Sequence, residues 1–116
     1  MIFNSKILFN KVLRHYTGIT LWPFIILKDK ASDVGADKYE VLVNHERIHL
    51  RQQAETLVLF FYVLYLFYYI RNRLKGQPHW KAYLNIPFER ESYEKERDLE
   101  YLKTRKFWQW RKYAAV

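Results

Sequence analysis

The chain has 116 residues, enough for one domain around a single core. Half of the residues are hydrophobic and 19% are aromatic, which excludes a disordered segment, and the lack of cysteine excludes disulfides and thiolate metal sites. Twenty Lys and Arg against twelve Asp and Glu leave a net charge of +8, which suits nucleic acid, an anionic membrane surface or acidic substrates and alone selects none of them.

The N-terminal stretch "MIFNSKILFNKVLRHYTG" has Lys6 and Lys11 among its apolar residues and no clear small-residue cleavage site. It does not read as a signal peptide, so the expected location is the cytoplasm, with or without membrane association. Residues 19 to 27, "ITLWPFIIL", are β-branched, aromatic and apolar and read as a strand. Pro23 places that strand at a sheet edge, where a missing N–H breaks no ladder. Turn chemistry follows around Gly35, and Asp37 with Glu40 resembles a capping box that starts a helix near Lys38.

From Lys38 to about Arg73 nothing in the sequence breaks that helix. Stepping by threes and fours from His45 gives His49, Gln52, Thr56, Phe60, Val63 and Phe67, a stripe that turns from polar to apolar. The stripe predicts that the histidine face continues into the core, with both histidines at the edge of the interior. Glu55, Tyr62, Tyr65 and Tyr69 fall on roughly the opposite side. The uncharged run "LVLFFYVLYLFYYI", 57 to 70, makes only about 21 Å of helix against roughly 30 Å of hydrocarbon. It reads as a buried core helix before it reads as an interfacial one, and a full span is the weakest reading.

Gly76 and Pro78 punctuate a connection, Asn85 can cap a new helix, and Pro87 suits its first turn. The segment from Pro87 to Lys106 predicts a highly charged helix, with Glu91 and Lys95 as an i,i+4 pair. The tail "KFWQWRKYAAV" is aromatic and basic. Its basic–aromatic interleaving, with the basic run "RNRLKGQ", suits nucleic acid, but acidic residues fill the intervening helix and weigh against it.

The chemistry concentrates in "VNHERIHLRQQ", residues 43 to 53. Histidines four apart on a helix lie about 40° and 6 Å apart, so His45 and His49 can converge on one metal ion. Glu46 points to the neighbouring side, where it can deprotonate a metal-bound water rather than coordinate the metal. Two histidines on a helix are also commonly plain polar groups. A catalytic zinc needs a third protein ligand. Asp33 and Asp37 lie close upstream and serve better as turn and cap residues, and His79 sits in the connection. "NIPFERESYEKERD" offers Glu89 and Glu91 at the start of a rigid element, where the helix dipole also favours carboxylates.

"HERIH", followed 39 residues after its second histidine by "FERESY", resembles the gluzincin class of zinc metallopeptidases. Phe88 and Glu89 match the start of the F-E-x-x-A-D motif of the CAAX-prenyl endopeptidase branch. Ser92 takes the small-residue place, and Tyr93 stands where an aspartate is usual. In size the chain is similar to the single-domain minigluzincins. The resemblance implies Zn2+ as cofactor, with His45, His49 and Glu89 as ligands and Glu46 as general base in peptide-bond hydrolysis. It also implies an edge strand that pairs with an extended peptide or protein substrate, a place that "GITLWPFIIL" fits. The aspartate's supporting role would pass to Gln52, Gln53 or Asn44, and Tyr93 is read first as a packing residue and second as the electrophile. The expected fold is mainly α with a small β element (α+β), one zincin-like domain over 1–116. Its long HExxH helix packs on a second charged helix beside a short N-terminal edge strand or hairpin. The alternative is a non-enzymatic, membrane-associated protein whose metal site is structural or absent.

Overall fold

A computed structural model describes residues 2–6 and 17–114; residues 7–16, inside the N-terminal stretch read above as no signal peptide, lie outside it. The protein is mainly α with a small β element. Strands β1 (Ile2–Asn4), β2 (Gly18–Leu21) and β3 (Phe24–Leu27) form a sheet in the order β1-β3-β2. β1 runs parallel to β3, pairing Ile2 with Ile25, and β2 runs antiparallel to it, pairing Gly18 with Leu27 and Leu21 with Phe24. The single strand expected over 19 to 27 is therefore a hairpin. Trp22 and Pro23 form its turn, joined by a cis peptide bond. β1 went unread because three residues at a chain end carry no period.

Helix α1 (Ala31–Val34) is a single turn, closed where Asp33 accepts the Lys30 backbone N–H. α2 (Ala36–Glu55) starts two residues before the expected Lys38, because Gly35, at φ 92°, supplies a left-handed N-cap without a side-chain bond. α2 does not run on to Arg73. It ends at Glu55, and α3 (Leu59–Leu74) leaves it at 110° through an elbow at Thr56–Val58. Leu57 and Val58 sit there at φ 56° and 60°, a conformation that no local residue type announces.

The bend lets α3 swing Phe61 back onto Ile86, Phe88 and Trp110, one of two buried clusters among the described residues. The other joins Ile25 and Leu27 of the sheet to Val43 of α2. It also resets the helical phase. Gln52 and Thr56 of the expected stripe are buried, whereas Phe60, Val63 and Phe67 face outward, and Phe61 enters the core. Neither is α3 the buried core helix that its composition first suggested: of its residues only Phe61 and Asn72 are fully buried.

α4 (His79–Leu84) occupies the expected connection, with Pro78 at its N-cap. α5 (Pro87–Lys95) begins with Pro87 at its first position, but its N-cap is Ile86 rather than Asn85, whose amide bonds Gln77. The charged helix ends at Lys95 instead of Lys106. Asn44 of α2 donates to the Lys95, Glu96 and Asp98 carbonyls at 3.4, 2.8 and 3.0 Å, taking acceptors that a longer helix would have used. The chain then turns through α6 (Tyr101–Thr104) into a 3-10 turn, Gln109–Tyr113. Glu91 consequently meets Arg105, not Lys95.

Candidate metal centre

One turn of α2 separates His45 from His49 and leaves their Nε2 atoms 3.2 Å apart, both rings buried. Glu89 enters from the first turn of α5, where free backbone N–H groups favour a carboxylate. Its Oε1 lies 3.0 Å from His49 Nε2 and 3.4 Å from His45 Nε2. Ligands about 2.0–2.1 Å from a tetrahedral ion stand about 3.3 Å from one another. The three atoms already have that spacing, and His45, His49 and Glu89 form a buried group able to hold a metal ion.

The far side of each ring is held as well. His45 Nδ1 is 3.0 Å from Glu96, and His49 Nδ1 is 2.8 Å from Gln52 Oε1. The Gln52 amide nitrogen donates to Glu91 and to the Phe88 carbonyl, so its oxygen must face the imidazole. Both Nδ1 atoms therefore carry a proton, and both Nε2 atoms, the ones a metal would take, turn toward Glu89. The other oxygen of Glu89 accepts from the Tyr65 hydroxyl at 2.7 Å, which leaves Oε1 to the histidines. Glu91 is not available as an alternative ligand. Arg105, Tyr101 and Gln52 consume its carboxylate, and Arg105 also makes a two-pronged pair with Glu55.

Glu46 projects beside the triangle, its Oε2 3.9 Å from His45 Nε2. Thr20 of β2 donates to Glu46 Oε1 and to its backbone carbonyl, both at 3.1 Å. A Cβ on Gly18 would stand 2.8 Å from a Leu27 methyl and 3.3 Å from the Glu46 carboxyl carbon, so this glycine makes room for the carboxylate. Burial pushes Glu46 above the usual carboxylate range, against the pull of both histidines. Burial also draws His45 down, but Glu89 and Glu96 outweigh it and lift His45 to about 10. His49 rises as well, its burial outweighed by Glu89. Glu89 itself is held well below its ordinary range by the two imidazoles despite burial.

These groups open onto a cavity of about 400 Å³ between the outer edge of β2 and α2, walled by Phe61, Tyr62, Tyr65, Tyr83 and Tyr93. Tyr93 stands half-exposed at the mouth, its ring edge-on to His45 at 4.5 Å and its hydroxyl 3.1 Å from that of Tyr83. Gln53 spends its amide elsewhere than on the histidines. It donates to the Thr20 carbonyl and accepts from the Trp22 N–H, fixing the hairpin against α2. Asn44 ends α5, as described, and Ser92 donates to the His45 carbonyl. His79 lies elsewhere, bonded to Tyr69. Sequence reasoning missed Glu96, Thr20, Tyr65 and Arg105. Of these, Glu96 alone left a signal, standing seven residues after Glu89 and so on the same side of a helix. Comparison with known proteins returns no match, whether to a family model, a curated protein or a solved structure.

Proposed function

We propose that the chain is a small zinc-dependent metallopeptidase, with His45, His49 and Glu89 as ligands and Glu46 as general base. One observation carries the reading: three ligand atoms 3.0 to 3.4 Å apart open onto a cavity whose wall includes a non-ligating carboxylate, Glu46. Two imidazoles and a carboxylate without thiolate suit zinc. Bound there, the ion would act as Lewis acid on the scissile carbonyl and would acidify a water. The raised proton affinity of Glu46 suits a group that takes a proton from water and passes it to the leaving amine. Burial lifts the Tyr93 phenol above its ordinary value, so it keeps its proton at neutral pH and can donate to a developing oxyanion.

In this reading an extended peptide lies along the edge of β2 opposite β3. Gln53 already occupies the Thr20 carbonyl and the Trp22 N–H, so backbone pairing is confined to the Gly18 end of the strand.

Metal analysis of purified protein, with a peptide-library cleavage assay, tests the proposal. We expect about one zinc per chain, lost in Glu89→Ala and kept in Glu46→Gln, with cleavage falling by about 10²–10⁴ in the latter. Zinc retained in Glu46→Gln but no cleavage by the wild type would favour a structural metal site. No zinc after reconstitution would refute the proposal outright.

A further inference from the structure

α3 shows the solvent a face that its sequence does not balance. Phe60, Val63, Leu66, Phe67, Ile70 and Leu74 lie within an arc of about 120°, and they are exposed by 47% at Ile70 up to 83% at Leu74. A monomer rarely leaves so continuous an apolar stripe in water. The helix is also one-sided in charge. No acidic residue occurs between Glu55 and Glu89, whereas Arg71, Arg73, Lys75 and Lys81 do. Arg73 and Lys75 are exposed at the C-terminal end of the stripe, and the half-exposed Tyr62 flanks it.

A second aromatic–basic element adjoins the elbow. The Trp108 backbone N–H donates to Glu55, two residues before Leu57, and so anchors an exposed Phe107–Trp108 pair there, with Arg111 over the Trp108 ring.

We propose that the outer face of α3 seats the protein on an anionic lipid surface. The helix, about 24 Å long, lies in the interface with its apolar side among the acyl chains and its cations at the headgroups. Among the described residues no single helix is long and apolar enough to cross a membrane, which fits a helix lying flat. Charge decides against a second copy as the occupant, since each chain carries +8 and this segment offers its twin no acid to pair with. The stripe is also convex and without polar groups inside it for directional recognition by a protein. A lipid surface needs none.

Flotation of the full chain with vesicles tests this without calling on metal or peptide cleavage. Vesicles of equal parts phosphatidylcholine and phosphatidylglycerol should carry the protein at low salt, and phosphatidylcholine alone at least tenfold less. Arg73→Gln with Lys75→Gln should weaken binding roughly 25-fold, about fivefold per cation. Val63→Glu with Phe67→Glu should abolish it while far-ultraviolet circular dichroism stays that of the wild type. The proposal falls if the wild type does not float, or if the double-Glu variant floats as well as the wild type. It also falls if sedimentation shows a dimer that the Glu substitutions dissolve while vesicles bind neither form.

Discussion

Arg105→Met removes the one cation between two buried carboxylates. The Arg105 side chain is fully enclosed, pairing with Glu91 at 2.6 and 3.0 Å and with Glu55 at 2.7 and 3.0 Å. Without it, Glu91 retains only Tyr101 and Gln52, and Glu55 retains the Trp108 N–H. Neither neutral set compensates a buried negative charge, and the two carboxylates then face each other. Breaking a buried pair in this way costs about 3–5 kcal/mol, a large share of the roughly 5–15 kcal/mol by which a domain is stable. Urea unfolding of metal-free protein at neutral pH should show that loss at an unchanged slope. Adding Glu91→Met should recover much of it, because an apolar pair of similar volume needs no counter-charge. A loss below about 1 kcal/mol for Arg105→Met would mean that water reaches the network, and the account of Gln52 as a fixed support of His49 would go with it.

Gln52→Leu and Glu96→Gln each disturb one imidazole without touching a ligand atom. Each should weaken metal binding 10–100-fold in a chelator competition, while Gln53→Leu, which loosens the hairpin instead, should change it far less. The lifted histidines set a pH dependence. In metal-free protein His45 titrates at about 10 instead of 6.5, so its contribution to stability is complete below pH 6.5 and is lost as pH rises through about 10. Metal must displace the proton on His45 and compete with the raised proton affinity of His49, so affinity should rise with pH through neutrality, with at least one proton released per ion. Calorimetry in buffers of different ionisation heat measures that number, and no release would contradict the assigned charge state. Finally, Val58 is β-branched at φ 60°, so Val58→Gly should raise the urea midpoint by about 1 kcal/mol equivalent through relief of backbone strain.

The ligand triangle was legible because each part of it is local. His45 and His49 need only one unbroken helical turn, and Glu89 needs only a helix that begins at Pro87. The misreadings all lie where distant contacts overrule local preference. Nothing in "AETLVLFF" forbids a helix, and a straight one would save the strain at Leu57 and Val58. It would also leave Phe61 in water and take the Tyr65 hydroxyl away from Glu89. The bend is selected by those contacts, which lie 24 to 49 residues away along the chain, a separation that no periodicity reports. Asn44 ends α5 in the same manner, from 51 or more residues away, and only because α5 stops there can Arg105 return to Glu91. The supporting shell of the site is therefore written across the fold, while its ligands are written in two short words of sequence. The same bend that seats Tyr65 against Glu89 turns Phe60, Val63 and Phe67 outward, so the completed site and the apolar outer face of α3 are two results of one elbow.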